Sequence, residues 1–369
     1  MRVVVIGAGP SGLACAACVK QQGAEVEILE RASQIAPAWH GHYDRLHLHT
    51  HRNRSGLPML PLPKAMGRYP SRQDFIAYLD QYAATFGLRP HFNCAVHTVR
   101  PDNGGWQVAH AHGIDQADVV IFATGLNGTP HRPELPGQAS FPGPVLHSSS
   151  YRNADGFKGM AVLVVGFGNS GGDIALDLAE AGVDVTLSQR GPVNILPHDL
   201  FGIPITSMGG LRKILPYRLA DALTAPILRA KIGRPESYGL QSAGKGPAAQ
   251  VIEDGRVPLI DNGTLAAIRA GRIKMRPGIT GINGASVGFA DQTKADFAAI
   301  ILATGYRTDL RKLLPDSHDA LDDHGRPRLC GAPSPVKGLY FCSYKASADG
   351  QLRQTGIEAK AIAKHITNG

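Results

Sequence analysis

The sequence predicts an α/β protein made of two dinucleotide-binding domains, the second inserted in the first. Three observations predict it. A short apolar run meets a G-x-G-x-x-G motif at the N-terminus, the same device recurs beyond residue 160, and two further apolar runs end in Ala-Thr-Gly. A chain of 369 residues has room for two domains of ordinary size, or three.

The first device is Val3-Val4-Val5-Ile6-Gly7-Ala8-Gly9-Pro10-Ser11-Gly12. It predicts a buried parallel strand, a glycine turn and a helix from Leu13 to about Gln22. Gly23 stops that helix, and a second strand runs from Glu25 to Glu30. Gly7 allows the tight turn, Gly9 lets the backbone approach a pyrophosphate, and Gly12 lets helix and strand pack closely. The helix start, entered through Pro10 and Ser11, offers unpaired N–H groups and a positive dipole end to phosphates. Glu30 stands 18 positions after Gly12, where an acid grips a ribose hydroxyl.

The second device is Ala161-Val162-Leu163-Val164-Val165-Gly166-Phe167-Gly168-Asn169-Ser170-Gly171. A helix is expected from about Gly172 to Glu180, a break at Gly182, and a strand over Val183-Asp184-Val185-Thr186-Leu187. That strand runs into Ser188-Gln189-Arg190, with no acid at its end. Arg190 stands 19 positions after Gly171, where the ribose hydroxyls belong. A carboxylate there repels a 2′-phosphate, whereas an arginine with a nearby hydroxyl such as Ser188 attracts one. The first device therefore suits FAD and the second NADPH. The plainer alternative for Arg190 is a solvated strand-end charge.

The two Ala-Thr-Gly runs are Val119-Val120-Ile121-Phe122-Ala123-Thr124-Gly125 and Ile300-Ile301-Leu302-Ala303-Thr304-Gly305. Small residues at their ends let the chain cross close to a cofactor and return between domains. The expected architecture is two Rossmann-like domains, with the NADPH-binding domain (156–295) inserted in a discontinuous FAD-binding domain (1–155 and 296–369). Pro- and Gly-rich stretches at 130–144 and 276–288 are the expected hinges.

Composition narrows the function classes. The 38 basic residues against 30 acidic ones are scattered, with no run of five. The excess of +8 suits phosphate-rich cofactors and an anionic substrate better than nucleic acid. The 44 glycines exceed ordinary usage of about 7% and suit close backbone–ligand approaches. Cys15, Cys18, Cys94, Cys330 and Cys342 are an odd set in a long chain, unlike a secreted disulfide framework. No signal peptide precedes the first strand and no uncharged apolar stretch reaches 18 residues, so a cytoplasmic enzyme without membrane insertion is expected.

Between the devices stands Phe141-Pro142-Gly143-Pro144-Val145-Leu146-His147-Ser148-Ser149-Ser150-Tyr151, which fits F-x-G-x-x-x-H-x-x-x-Y. With that linker the chain resembles the flavin-containing monooxygenases and their Baeyer–Villiger relatives. Other stretches resemble the plant YUCCA branch. They include Tyr69-Pro70-Ser71-Arg72 with Phe75, Tyr78 and Leu79, then Leu196-Pro197-His198-Asp199-Leu200-Phe201-Gly202 and Gly263-Thr264-Leu265. The chain departs from the family at Ala36-Pro37-Ala38-Trp39, where Gly-Gly-x-Trp is usual, and at Tyr344-Lys345-Ala346-Ser347-Ala348-Asp349-Gly350-Gln351.

The resemblance implies an FAD- and NADPH-dependent monooxygenase acting through a C4a-(hydro)peroxyflavin. Its substrates would be molecular oxygen and a small organic molecule: a 2-oxo acid such as indole-3-pyruvate, an amine or a sulfide. It implies cofactor contacts at Arg31, Trp39 and Val96, and at Gln351 and Leu352, which open a helix at the flavin pyrimidine edge. Asn53 is the candidate to hydrogen-bond the flavin or its oxygen adduct, with a plain turn residue as the alternative. Arg72 is the candidate to hold a substrate carboxylate. His147 is expected to tie the linker by a hydrogen bond rather than to move protons. The cofactor supplies the difficult step, so no catalytic triad or metal is required.

Several features have rival readings. Cys15-Ala16-Ala17-Cys18 looks like a redox dithiol, but small buried helix residues are the plainer reading. His47, His49 and His51 alternate, and on a strand would offer one imidazole face to a metal; a polar edge near the flavin is preferred. Residues 203–235 mix apolar residues with Arg212, Lys213, Arg218, Arg229 and Lys231, and fit an amphipathic helical insert, a lid or a membrane-surface helix. An NADPH:acceptor oxidoreductase, an oxidase and a flavin-binding sensor remain alternatives to the monooxygenase. A homodimer is an open possibility.

Overall fold

The computed structural model describes residues 1–205 and 215–368. Arg212 and Lys213 of the basic insert lie outside those residues. The chain opens with β1 (Arg2–Ile6), α1 (Pro10–Gln21) and β2 (Glu25–Leu29), followed by α2 (Arg72–Thr85) and β3 (Val119–Phe122). Next come β4 (Val145–His147), β5 (Ala161–Val165), α3 (Asn169–Glu180), β6 (Asp184–Ser188), β7 (Ile273–Arg276) and β8 (Ala299–Leu302). It closes with β9 (Leu339–Phe341) and α4 (Gln351–Asn368). Both nucleotide helices start three residues earlier than periodicity suggests. Pro10 suits a first helical position because it has no N–H to satisfy, and the glycines do not delay the turn.

The chain forms two compact units: residues 1–41, 50–129 and 306–369, and residues 42–49 and 130–305. Unit 1 is built on a parallel sheet in the order β2-β1-β3-β9. Val3, Val4 and Val5 are fully buried at its centre, and each such side chain is worth about 1.5–3 kcal/mol against exposure. The second unit repeats the plan with a parallel sheet in the order β7-β6-β5-β8-β4. Each unit adds a three-stranded antiparallel sheet, over residues 96–117 in the first and 279–296 in the second.

These boundaries differ from the expected cuts near 156 and 296. β4 and β8 both hydrogen-bond into the sheet of the second unit, which draws 130–155 and 296–305 into it. The stretch 276–288 is not a hinge. It ends β7 and supplies the strands Ile279–Asn283 and Ser286–Phe289 inside unit 2. The two Ala-Thr-Gly ends, at 125 and 305, do fall at the edges of the units, which change over at 129/130 and 305/306.

Helix α2 shows how local sequence positions unit 1. Ser71 caps it by accepting from the Asp74 N–H while the Asp74 carboxylate accepts from the Ser71 N–H. Phe75, Tyr78, Leu79 and Tyr82 recur at helical spacing and are fully buried. Their phenols stitch down the preceding loop: Tyr78 accepts from the Leu57 N–H and donates to the Leu60 carbonyl, and Tyr82 donates to the Pro58 carbonyl.

Candidate functional site

The two glycine devices fold into the same geometry. Gly7 and Gly166 both have φ of 106°, a left-handed conformation that a side chain resists. A Cβ on Gly7 would lie 2.8 Å from the Ala123 carbonyl oxygen, and one on Gly166 would lie 2.6 Å from that of Ala303. Each Ala-Thr-Gly strand therefore lies against a glycine turn. A Cβ on Gly12 would meet the Gly7 oxygen at 1.8 Å, and one on Gly171 the Gly166 oxygen at 1.9 Å. By contrast, among the described residues nothing lies within 4 Å of a Cβ on Gly9 or Gly168. Those two positions border open space at the start of α1 and α3, and neither helix start has a side-chain cap. Open glycine backbone beside helix-start N–H groups that no side chain caps fits a pyrophosphate in both places.

In unit 1, Pro10 opens α1 and Ser11 is buried in its first turn. The Glu30 carboxylate is buried at the end of β2. It accepts from the Ala8 N–H at 2.8 Å and from the Ala32 N–H at 2.9 Å, so it also fixes the glycine loop. Arg31 beside it is exposed. Trp39 stands in the helical turn Pro37–His40 against the Phe75 ring, centroids 4.4 Å apart. Ala36, where the family has glycine, takes the left-handed conformation with φ of 51°. Val96 packs on the hydrophobic core of the unit and pairs with His110 across the antiparallel sheet. Ala123 is buried; Gly125 has φ of 80°. The Tyr344 phenol bonds the Thr124 hydroxyl at 2.6 Å and accepts from its N–H at 3.0 Å. Gln351 opens α4 and donates to the Ser343 carbonyl, while Leu352 is buried.

The two catalytic candidates are set apart in kind. Asn53 is an exposed residue on the 3-10 turn Arg52–Arg54, its N–H donating to His51 Nδ1. Arg72 is half-buried at the start of α2 and donates to the His40 carbonyl at 3.0 Å, which ties it to the Trp39 turn.

In unit 2 the linker motif has a structural explanation residue by residue. Phe141 is in the core with Leu163 and Ile300. Gly143 passes so close to Ala298 that a Cβ would lie 2.1 Å from its carbonyl oxygen. His147 is fully buried: its Nε2–H donates to the Gly305 carbonyl at 3.0 Å, and its Nδ1 accepts from the Ser149 N–H at 3.1 Å. Tyr151 donates to Asp177 on α3 at 2.6 Å. The motif sews β4 onto the glycine helix and the second Ala-Thr-Gly end. His147 thus has the fixed, linker-holding geometry expected of it, and burial lowers its pKa, favouring the neutral ring. Thr304 extends the seam by donating to the carbonyl of His131, whose own N–H donates to the Gly305 carbonyl.

The NADPH candidates divide. Asn169 is drawn inward: its amide accepts from the Ile260 N–H at 2.7 Å and donates to the Pro258 carbonyl. The Ser188 hydroxyl is buried and donates to the Pro277 carbonyl at 2.7 Å, so it is turned away from the role of phosphate donor. Arg190 is exposed, and among the described residues no carboxylate forms an ion pair with it. A Cβ on Gly278 would lie 3.4 Å from its stem, so Gly278 makes room for it. Arg276 stands at the neighbouring strand end, opposite Ser188 in the register, a cation that motif spacing does not reveal.

A polar cluster joins Ser170 to residues far away in sequence. The Tyr43 phenol donates to buried Asp173 at 2.8 Å and also bonds Ser170. Asn262 donates to Asp173 at 2.9 Å, and His49 Nε2 lies 3.4 Å from it. Burial alone raises the Asp173 pKa, but the bonds from His49, Asn262 and Tyr43 outweigh it and hold the carboxyl below its usual range. His47, His49 and His51 are not on a strand. They bond the Arg45 carbonyl, Asp173 and the Asn53 N–H respectively, and do not share one face.

His198 lies 6.0 Å from His49, centroid to centroid, and burial followed by His49 lowers its pKa to about 4. A lowered folded-state pKa means that the neutral ring is favoured. Its stabilisation is complete above the unfolded value near 6.5 and is lost as pH falls toward about 4. His147 adds in the same direction. We expect the melting temperature to drop between pH 6.5 and 4, and His198→Gln to make that drop shallower; identical slopes would refute this.

The Cys15-x-x-Cys18 pair lies in α1 with both thiols buried and free. The bond with Cys342, then burial, holds the Cys15 thiol well above its ordinary range, and burial pushes Cys18 to about 11. Buried protonated thiols are poor nucleophiles, so a Cys15→Ala/Cys18→Ala double variant is expected to keep at least half of the NADPH-dependent turnover. Loss of turnover with the flavin still bound would restore the dithiol reading.

Two parallel sheets, each with a glycine cradle, define a protein with two dinucleotide-binding domains. The family description pyridine nucleotide-disulphide oxidoreductase matches residues 4–198. The flavin-containing monooxygenase from Stenotrophomonas maltophilia has a TM-score of 0.75 at 24% identity, covering 100% of this chain and 98% of that one. The structure of OTEMO in complex with FAD and NADP has a TM-score of 0.74 at 17% identity, covering 99% and 84%. At those identities the likeness shows the fold. Indole-3-pyruvate monooxygenase YUCCA1 of Oryza sativa subsp. japonica is 37% identical over 373 residues, 98% of this chain and 90% of the relative. The chain belongs to the indole-3-pyruvate monooxygenase family, and is an oxidoreductase of the monooxygenase class.

Proposed function

We propose that the chain holds FAD on the cradle of unit 1 and NADPH on that of unit 2, and oxygenates a small 2-oxo acid such as indole-3-pyruvate. One observation carries this most: both cradles have the same open glycine beside an uncapped helix start, in a chain 37% identical to a named indole-3-pyruvate monooxygenase. When bound, the nicotinamide and flavin supply hydride transfer and oxygen activation. The protein's part is to hold, orient and exclude water.

The pyrophosphates take the N–H groups of α1 and α3. Glu30 accepts from a ribose hydroxyl with the capacity left beyond its two backbone donors. Tyr43 and Asp173 aim the Ser170 hydroxyl, and Arg190 with Arg276 meets the 2′-phosphate. The exposed Asn53 amide is offered to the flavin and the Arg72 guanidinium to the substrate carboxylate. Free thiols at all five cysteines suit a reducing compartment such as the cytoplasm. No helix among the described residues is long and apolar enough to cross a membrane.

The balance of the reaction gives the test. One 2-oxo acid, one O₂, one NADPH and one proton yield the acid one carbon shorter, CO₂, water and NADP⁺. With ¹⁸O₂, one labelled atom should enter the shortened acid, in step with NADPH consumed. Hydrogen peroxide equal to the NADPH consumed, with no label in any organic product across 2-oxo acids, amines and sulfides, would instead establish an oxidase.

A further inference from the structure

Exposed apolar side chains are concentrated in one part of unit 2. Among the described residues, seven of thirteen large exposed ones fall between Phe201 and Val257. The helix Tyr217–Ile232 leaves part of its apolar surface facing water. Ala220 and Ile232 are buried against the unit, whereas Leu219, Leu223 and Ile227 point outward at 47%, 55% and 38% exposure. These three recur every fourth residue, and Pro226 lies between them, exposed. Their stripe extends about 12 Å along the helix. Ile252, on the adjoining helix Pro247–Asp254, is 56% exposed. A second feature of the unit is a hairpin whose tip, Phe201-Gly202, has φ of 52° and 77°. Such a tip ordinarily takes Asn or Gly. Here a phenylalanine holds the left-handed conformation with its ring 85% exposed. Folding explains none of this, because an apolar stripe and an aromatic tip facing water add nothing to the core.

The charges decide what covers the stripe. Arg229, Lys231 and Arg234 follow one another at its C-terminal end, all toward solvent or half-buried, with Glu236 as the one acid nearby in sequence. At its other end Arg218 is bonded to Glu253. A second copy related by a twofold axis would bring like cationic ends, or a cationic and a neutralised end, together, and the chain as a whole carries +8. An anionic lipid surface accepts the apolar stripe and pairs with the cations at once. We propose that this face is a peripheral docking surface for an anionic bilayer, resting on the membrane without spanning it.

The test uses the full-length FAD-loaded protein and sedimentation with vesicles of phosphatidylcholine, with and without phosphatidylglycerol. Binding is expected with phosphatidylglycerol, to weaken at high salt, and to fall about tenfold or more in the Leu223→Glu/Ile227→Glu variant. That variant changes no residue assigned to either cradle, so its turnover with NADPH should equal that of the parent, which also shows that it folds. Three results would overturn the proposal: no binding to phosphatidylglycerol vesicles, equal binding to both vesicle types, or binding unchanged by the variant. A dimer in light scattering that the variant converts to a monomer would assign the face to a second copy and overturn it equally.

Discussion

Gly9→Val is expected to give a folded, colourless protein. No described atom lies within 4 Å of a Cβ at that position, so the apo fold should survive. The same side chain fills the approach to the start of α1, where a pyrophosphate must come within hydrogen-bond distance of backbone N–H groups. FAD affinity should drop by at least about a hundredfold, or about 2.7 kcal/mol, enough to lose the cofactor on purification. The matched change in the second cradle, Gly168→Val, should leave a yellow protein that NADPH no longer reduces. Gly12→Ala is the contrast. Its Cβ would lie 1.8 Å from the Gly7 oxygen, so the strand, turn and helix must separate. Misfolding or a loss of about 3 kcal/mol or more is expected there, from overpacking rather than from lost ligand contacts. The readouts are flavin absorbance of the purified protein, circular dichroism and rapid-mixing reduction. A yellow Gly9→Val protein would show that FAD does not sit on this cradle.

The second large effect concerns Arg190. An exposed arginine at the end of β6, where a ribose-binding acid is otherwise found, should pair with the 2′-phosphate that distinguishes NADPH from NADH. A charge-assisted bond of that kind is worth about 1.5–3 kcal/mol. Arg190→Ala is therefore expected to raise the KM for NADPH about 10- to 150-fold, with little change in kcat or in the KM for NADH. Arg276→Ala should act in the same direction and more weakly. Ser188→Ala should have almost no effect on this preference, since its hydroxyl is bonded to Pro277. Equal losses with NADPH and NADH in Arg190→Ala would reduce that residue to a solvated strand-end charge.

Ser188 shows where sequence reasoning stops. Its position beside Arg190 was legible, but the direction of its hydroxyl depends on Pro277, a residue 89 positions away. Asn53 and Arg72 are similar. Their residue types suggest roles, but the His40 carbonyl that takes up one Arg72 donor has no signal in the sequence. The Tyr43–Asp173–His49 cluster was invisible for the same reason. Residues 42–49 belong to unit 2 although both flanking segments belong to unit 1.

What the sequence by itself determined was the pair of cradles. A glycine turn needs a left-handed φ, an open approach and a close helix contact at fixed offsets, and all three requirements act within about ten residues. Apolar runs before each motif likewise specify buried parallel strands without outside help. What only the tertiary structure decided was how those parts are tied together. His147 holds Gly305 from 158 positions away, Tyr344 holds Thr124 from 220, and β4 and β8 join the sheet of unit 2 rather than that of unit 1. Hydrogen-bonding capacity can be read from a residue's type, but its partner is chosen by packing, which brings distant segments together only once the whole chain has folded.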